Sequence, residues 1–371
     1  MTQDKTGWHA GHLAVLHALN IAKHASRAEI AQTTGLSPQS MTRIGQELIA
    51  SGHIVEVRRR HTGGMGQPAI ELGLVPGRIL SLGLVLEHDR ITCVLSDLVD
   101  GVIRRIEQEG DFLLAARSAD ASEALVAEAL RHIPIDATLL GLGVSQSGFF
   151  FDKTARRVVR RGDIEGWMQL DLDVRLSERF GLDVIVENDG RAAAAGHLVH
   201  GVGSEYGSFF VVLMTRGVGG GAVIDRQLLR GRMGNAGEFA MLLPRSGNVR
   251  PSTESLADCL GLSVDSELAE AAIRSRAPGM NAWLNENAAY LERALLSVCA
   301  LIDPEAIVFA GRLPLSIRAA LAERIRLSGV SIGNISAPLP PIIVDTAADC
   351  LEIGAASLPV ARLFAGLGRR R

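Results

Sequence analysis

The chain has 371 residues, of which 47% are hydrophobic and 21% charged, and its formal net charge is −3. This composition excludes a disordered chain, and the length predicts two or three domains. The apolar runs, of which Ile79–Leu86 is typical, are too short to cross a bilayer, and we expect no secretory leader. Four isolated cysteines without C-x-x-C spacing argue against a disulfide framework or a Cys-rich zinc site and favour a reducing cytoplasm.

The N-terminal part is predicted to form helices followed by a β-hairpin. Two helices carry capping signals: Ser26 is followed by Glu29, as in a capping box, and Ser37 precedes Pro38, which suits the first helical position. In chain order, the predicted elements are helices at His12–His24, Arg27–Thr34 and Pro38–Ser51 and strands at His53–Arg60 and Pro68–Leu74.

A helix, a turn, a capped helix and a hairpin are typical of a winged helix-turn-helix. The second capped helix would enter the major groove, and the arginines that lead into the hairpin tip would contact phosphates or a narrow minor groove. The candidate DNA-binding residues are Gln39, Ser40, Thr42, Arg43, Arg58, Arg59 and Arg60. The alternative is a small helical module that binds protein, with the arginines as a solvated face.

After Pro76–Gly77, β-branched strands and Ala-rich helices alternate, which predicts an α/β fold with sites at the ends of strands. One helix is expected at Ser118–His132. The predicted strands are Ile79–Leu86, Arg90–Ser96, Val102–Glu107, Leu139–Val144, Val184–Glu187, Ser208–Met214 and Ala306–Ala310.

Four segments carry polar or glycine patterns suited to a ligand. Asn188 and Asp189 lie between a strand and an Ala-rich helix, where they could bind sugar hydroxyls or merely cap the helix. The glycines of 217–221 could expose backbone N–H groups to a phosphate or could serve a hairpin that needs positive φ. Glu238 lies in a glycine-flanked loop, and Glu254 could accept hydroxyls or simply favour a helix start.

These pieces resemble the ROK family (repressor, open reading frame, kinase) in order and spacing. The matching segments are Glu187-Asn188-Asp189, 217–221, Ala236-Gly237-Glu238 and 303–311. The resemblance implies a winged helix-turn-helix at 1–75 and an actin-like (ribonuclease H-like) α/β domain at 76–371. That domain would have two lobes, a sugar between them and a C-terminal helix packed back on the first lobe. The sugar ligands that it implies are Ser147, Gly148, Asn188, Asp189, Glu238 and Glu254, with Asp189 as the base of any kinase activity.

Three departures from the family pattern shape the functional hypothesis. The segment 83–89 lacks the glycine pair of the kinase phosphate loop, which makes ATP binding doubtful. Met241 stands where the family has a zinc-binding His, and 244–254 contains no Cys, so no zinc is expected. Met65 and Gln67 stand at the Arg positions of the wing tip, which weakens the case for minor-groove anchoring there.

Sugar-binding carboxylates without a nucleotide loop favour a sensor over an enzyme. The preferred hypothesis is a cytoplasmic, sugar-responsive transcriptional regulator, most simply a repressor, that acts as a homodimer or tetramer on operator DNA. The alternatives are a sugar kinase that retains a DNA-binding domain and a DNA-binding scaffold with a vestigial cleft. Residues 1–75 carry a net charge of only +2, so operator affinity would depend on two such units acting together.

Overall fold

The structure is a computed structural model that describes residues 7–60, 69–152, 157–160, 162–244, 250–261, 266–275, 278–329, 331–332 and 334–367. Its described residues form three packed parts: an N-terminal unit (7–60 and 69–74) and two lobes that are each built on a five-stranded sheet.

The N-terminal unit contains three helices and a small sheet. Its elements are α1 (Ala10–Ala22), β1 (His24–Ser26), α2 (Arg27–Thr34), α3 (Pro38–Ala50), β2 (Ile54–Arg60) and β3 (Ala69–Leu74). The predicted caps are confirmed, since the Ser26 and Ser37 side chains accept backbone N–H groups of α2 and α3. Strand β1 was not predicted, because three residues are too few to show an alternating pattern. It pairs with β3 and completes a three-stranded sheet.

The first lobe is an α/β layer whose sheet has the order β10-β7-β4-β5-β6. Strand β4 pairs parallel with β7, and β7 pairs parallel with β10. The predicted strands are confirmed within one to three residues at each end. The elements are β4 (Ile79–Leu86), β5 (Arg90–Asp97), β6 (Gly101–Glu109), α4 (Ala115–Leu130), β7 (Thr138–Gln146), β8 (Phe149–Phe150), β9 (Val158–Val159), α5 (Ile164–Gln169), α6 (Leu172–Phe180) and β10 (Val184–Asn188).

The second lobe follows helix α7 (Asp189–His200) and has the sheet order β13-β12-β11-β14-β17. Its buried core gathers apolar side chains of this sheet and of the long helix α10. The elements are β11 (Phe209–Met214), β12 (Val218–Ile224), β13 (Gln227–Leu228), α8 (Thr253–Leu260), α9 (Ser266–Arg274), α10 (Pro278–Ile302), β14 (Ala306–Ala310), α11 (Leu315–Arg324), β15 (Ser331–Ile332), β16 (Ile335–Ser336), β17 (Ile342–Val344) and α12 (Cys350–Leu363).

Helices α7 and α12 pack against each other and connect the two sheets. The four alanines Ala192–Ala195 are all buried, and their small side chains let α7 lie close to both α12 and β12. Helix α12 also packs on β4 and β7 of the first lobe. Across the part of the chain that the structure describes, every helix is too short or too polar to traverse a lipid bilayer.

Candidate functional site

Three parallel strands of the first lobe end at the same edge of the sheet. Leu86 at the end of β4 pairs with Gln146 of β7, and Gln146 pairs in turn with Asn188 of β10. The residues that follow these strands therefore lie side by side, as expected for ligand sites of open α/β sheets. They include the predicted sugar ligands Ser147, Gly148 and Asp189.

Asn188 holds two of these strand ends together. Its side-chain oxygen accepts the Gly190 N–H at 2.8 Å, and its amide nitrogen donates to the Gly148 carbonyl at 2.8 Å. Gly148 has a φ of +121°, and a Cβ there would lie 2.2 Å from the Val159 carbonyl oxygen, so only glycine fits. The cap that the sequence left as an alternative is thus present. Asn188 positions the site through its cap and through Gly148.

The carboxylates of Asp189 and Glu238 lie close enough for the charge of Asp189 to act on Glu238. Burial raises the pKa of Asp189, and the guanidinium groups of Arg160 and Arg191 oppose that shift. Burial also raises the pKa of Glu238, and the negative charge of Asp189 raises it further. The positive charge of Arg191 lowers the pKa of both carboxylates and so partly offsets the effect of burial. Two half-buried carboxylates of this kind are suited to accept hydrogen bonds from the hydroxyls of a sugar.

A buried ion pair fixes the start of α7 beneath these carboxylates. Arg191 and Glu187 are at most 1% exposed, and the Arg191 Nε lies 2.7 Å from a Glu187 carboxylate oxygen. The Arg230 Nε lies 2.8 Å from the other Glu187 oxygen, and Arg191 donates to the Ala236 carbonyl at 3.2 Å. Because Arg230 and Ala236 belong to the segment before Glu238, this cluster ties Asp189 to the loop of Glu238.

The segment of Asn235 also binds the loop after β7. The Asn235 side-chain oxygen accepts the Phe150 N–H at 2.8 Å, and its amide donates to the Phe150 carbonyl at 2.6 Å. These paired bonds join the Gly148 loop of the first lobe to the Glu238 loop of the second lobe. The sequence displays Asn235 within a glycine-flanked motif, but nothing in the pattern alone identified this contact.

The glycines of 217–221 have a packing function that neither sequence interpretation anticipated. Residues 218–221 lie in β12, paired antiparallel with β11, so they form a strand rather than an open phosphate loop. A Cβ on Gly190 would lie 2.3 Å from the Gly220 carbonyl oxygen, and one on Gly221 would lie 2.4 Å from the Gly190 oxygen. The glycines therefore let β12 approach the start of α7.

Two predicted ligands are not joined to this cluster by any contact between described residues. Ser147 is half-buried at the strand edge beside Gly148. Glu254 opens α8 and is half-exposed, and its carboxylate lies 3.9 Å from the Arg216 guanidinium. The sugar-binding role of these two residues, like that of Gly148, Asn188, Asp189 and Glu238, stays a prediction.

A cavity of about 460 Å³ lies between the first-lobe loops and the turn that precedes β12. Its volume is that of a small-molecule site. It is lined by His88, Asp89, Gly110, Asp111, Leu113, Gly162 and Arg216.

The predicted DNA-contact residues of α3 lie on its outer face. Met41, Ile44 and Leu48 face the core of the N-terminal unit, whereas Gln39, Thr42 and Arg43 are exposed and Ser40 is half-buried. Arg43 pairs with Glu47 at 2.7 Å on the same helix, a surface contact that DNA phosphate could replace. Strand β2 includes residues 58–60. The side chains of Arg58, Arg59 and Arg60 and the wing tip at 61–68 lie outside the described residues.

The N-terminal unit packs against the ends of α7 and α12. Asn20 of α1 is buried and donates to the Val199 carbonyl in the last turn of α7 at 3.2 Å. The His17 and Phe364 rings, the latter just after α12, have centroids 4.9 Å apart. Burial lowers the pKa of His17 to about 4, so this contact is uncharged at neutral pH. One apolar cluster joins Leu16 and Leu19 of α1 to Val199 and Phe364.

Comparisons with known proteins agree with this architecture. The model of the ROK family matches residues 88–249. The uncharacterized protein y4fQ of Sinorhizobium fredii is 30% identical over 347 residues, which cover 91% of this chain and 88% of that protein. The chain belongs to the ROK family.

Its relatives include repressors and kinases. The xylose repressor of Bacillus subtilis is 24% identical over 219 residues, covering 58% of this ROK protein and 55% of the repressor. A solved ROK transcriptional regulator described as a homologue of the Escherichia coli MLC protein has a TM-score of 0.69 at 20% identity, covering 96% and 98% of the two chains. A Streptomyces griseus ROK glucokinase, solved with glucose and AMPPNP, has a TM-score of 0.59 at 24% identity, covering 75% and 98%. These likenesses show an actin-like, two-lobed fold.

The segment 83–89, which the resemblance aligns with the ROK phosphate loop, spans the end of β4 and a tight turn. Gly83 and the three residues after it lie in β4, and a tight turn follows, in which the Glu87 N–H donates to the Arg90 carbonyl at 2.9 Å. The Glu87 carboxylate lies 3.1 Å from the Arg312 guanidinium, which lies 2.7 Å from Glu352 of α12. Glu87 is therefore paired with a cation from the second lobe.

The zinc ion that the ROK resemblance implies does not fit the residues present. Met241 is 74% exposed. The four cysteines lie on four different elements, β5, α8, α10 and α12. Among the described residues, His9, His12 and Glu47 come close enough to share a metal. However, both His Nδ1 atoms accept backbone N–H groups and His12 Nε2 contacts Glu47 at 2.9 Å, so the trio is an internal cap of α1.

Proposed function

We propose that this ROK protein is a sugar-responsive transcriptional regulator, acting in the cytoplasm as a repressor of carbohydrate-utilisation genes. Residues 1–75 would bind operator DNA, and residues 76–371 would bind a monosaccharide between the lobes. Two chains in a dimer or tetramer would contact the operator together. The repressor names among its relatives and the outward face of α3 support this proposal.

One observation carries the proposal: two helices run from the candidate sugar site to the N-terminal unit. Helix α7 begins at Asp189 and ends where Asn20 contacts Val199. Helix α12 has Glu352 in its first turn, bound to Arg312, and ends beside His17. A change at the first turn of either helix is therefore transmitted along a rigid element to the DNA-binding part.

A sugar would act through its different affinity for two arrangements of the lobes. Hydroxyls bound to Asp189 of the first lobe and Glu238 of the second would favour the arrangement in which both are engaged. The ends of α7 and α12 would then shift the N-terminal units relative to each other and lower operator affinity. A coupling of about 1.4–2.7 kcal/mol corresponds to about a 10- to 100-fold change.

An operator titration tests this proposal. Duplexes enriched by the full chain from a random-sequence pool would be titrated with and without a panel of monosaccharides, their phosphates and their acids. At least one compound is expected to weaken operator binding about 10- to 100-fold. If no compound changes operator affinity and none raises the melting temperature, the proposal fails and a DNA-binding scaffold with an unused cleft is supported.

Two arginine variants provide a matched pair for this titration. Arg43→Ala removes an exposed guanidinium paired with Glu47 on α3, and Arg131→Ala removes one paired with Glu128 just after α4. We expect Arg43→Ala to weaken operator binding about 10-fold, and we expect no change for Arg131→Ala. Equal affinities for the two variants would contradict the placement of α3 on DNA.

The alternative is a ROK-type ATP-dependent sugar kinase that retains a DNA-binding part. The half-buried carboxylate of Asp189 at a helix start favours it, since a base in that position could take a hydroxyl proton. The absence of a glycine pair at 83–89 weighs against it, because Leu, Val and Glu side chains there would block backbone N–H groups from cradling phosphates. Sugar phosphorylation by ATP that disappears in Asp189→Asn would establish the kinase.

A further inference from the structure

Arg160 is a buried cation to which the proposed function assigns no role. It follows β9 and is 3% exposed, and its guanidinium lies over the Trp167 ring of α5 at 4.7 Å. Its one hydrogen bond to a described residue runs from Nη2 to the Glu87 carbonyl at 3.4 Å. Nε and Nη1 are buried and have no hydrogen-bond partner among the described residues.

No carboxylate of the described residues lies within 4 Å of Arg160, so a structural ion pair does not explain its burial. Of the other two buried arginines among the described residues, Arg191 pairs with Glu187, and Arg318 donates to three backbone carbonyls. Burial lowers the pKa of Arg160 to about 10, which leaves it charged at neutral pH. A buried charge without a partner is strongly destabilising, which makes it a marker of a ligand.

Arg160 lies between the charge of Asp189 and the wall of the 460 Å³ cavity. The charge of Asp189 acts on it electrostatically, and Glu87 is the residue that precedes His88 of the cavity wall. Gly162, two positions further along the chain, lines the same cavity. A sugar with hydroxyls on Asp189 would therefore carry a substituent towards Arg160.

We propose that the effector is a monosaccharide that carries a carboxylate, a uronic or aldonic acid, and that Arg160 selects it. A planar guanidinium matches a carboxylate, and the Trp167 ring fixes its plane. A single negative charge suits a site that already holds Asp189 and Glu238, whereas the larger charge of a phosphate ester would be repelled by them. This inference rests on the proposed sugar-binding function.

The test compares matched ligand pairs by calorimetry on the full chain. Glucose, galactose and xylose are each titrated beside glucuronate, galacturonate and xylonate, with glucose 6-phosphate as a further probe. We expect one acid to bind about 100-fold more tightly than its parent sugar, because a buried charge pair is gained. Equal affinities, tighter binding of the neutral sugar or tighter binding of the phosphate would each overturn the inference while leaving the proposed function intact.

Two variants assign the preference to this residue. Arg160→Gln is expected to reduce acid affinity about 100-fold and to leave the parent sugar within about threefold. Arg157, three positions before Arg160, is half-exposed and paired with Asp171 at 2.7 Å. We expect Arg157→Gln to keep the preference. Acid preference that persists in Arg160→Gln would overturn the assignment.

The ligand-free melting temperature gives a second readout. Because Arg160 has no ion-pair partner within the described residues, Arg160→Gln should melt at least as high as the unaltered protein. A lower melting temperature would identify Arg160 as a structural cation and contradict the inference. If none of the sugars, acids or esters binds the unaltered protein, both this inference and the proposed function fail.

Discussion

Replacing Asp189 with asparagine is expected to abolish the response to sugar without unfolding the protein. The carboxylate is half-buried at the start of α7. Charge-assisted hydrogen bonds to two sugar hydroxyls would together contribute about 3 kcal/mol, so effector affinity should fall about 100-fold. Operator binding without sugar should be unchanged. Calorimetric titration with the effector and an operator titration measure the two effects.

The expected stability of the Asp189→Asn variant follows from the direction in which folding shifts the pKa of Asp189 in the unaltered protein. Burial raises the pKa of Asp189 in the folded state, so the ionised carboxylate disfavours folding above its unfolded pKa. Asparagine lacks that charge, and its side-chain oxygen can still accept the Gly190 N–H that Asp189 accepts at 2.8 Å. The melting temperature at neutral pH should therefore stay equal or rise. Asp258→Asn, at an exposed position of α8, is the control that should retain effector binding.

Replacing Arg191 with methionine is expected to give the largest loss of stability. Glu187, which is 1% exposed, would lose its buried partner at 2.7 Å and keep only the half-exposed Arg230. Breaking a buried pair in this way costs up to about 3–5 kcal/mol. The Arg191 contacts with Ala236 and with the Phe150 ring would disappear as well. Urea unfolding followed by circular dichroism measures the loss.

An exposed ion pair of the same sequence spacing serves as the control. Arg274 and Glu270 are four residues apart on α9, like Arg191 and Glu187, but Arg274 is 69% exposed. Arg274→Met should change the free energy of unfolding by less than about 0.5 kcal/mol. Similar losses in the two methionine variants would show that burial of the Glu187 pair is not what stabilises the start of α7.

The local elements could be read from the sequence because their signals are local. Ser26 with Glu29, and Ser37 with Pro38, bound two helices without reference to the rest of the fold. The strand edge with Asn188 and Asp189 was also predictable, because parallel strands end at one side of a sheet.

Long-range pairing could not be read in this way. Glu87 and Arg312 are 225 residues apart in the sequence. Gly190 of α7 contacts Gly220 of β12, a strand that comes later in the chain. Arg160 resembles any other arginine of its segment until the fold buries it against Trp167. The sequence shows that these charged residues and glycines are present. It does not show which residues they contact, because that depends on how the two lobes pack in three dimensions.

Reciprocity between the two ligands tests the central claim most directly. If sugar weakens operator binding through α7 and α12, operator DNA must weaken sugar binding by the same factor. Effector affinity would be measured by calorimetry on the full chain, alone and saturated with operator. The account predicts equal factors of about 10 to 100 in the two directions. An effector affinity that is unchanged by operator DNA would contradict it.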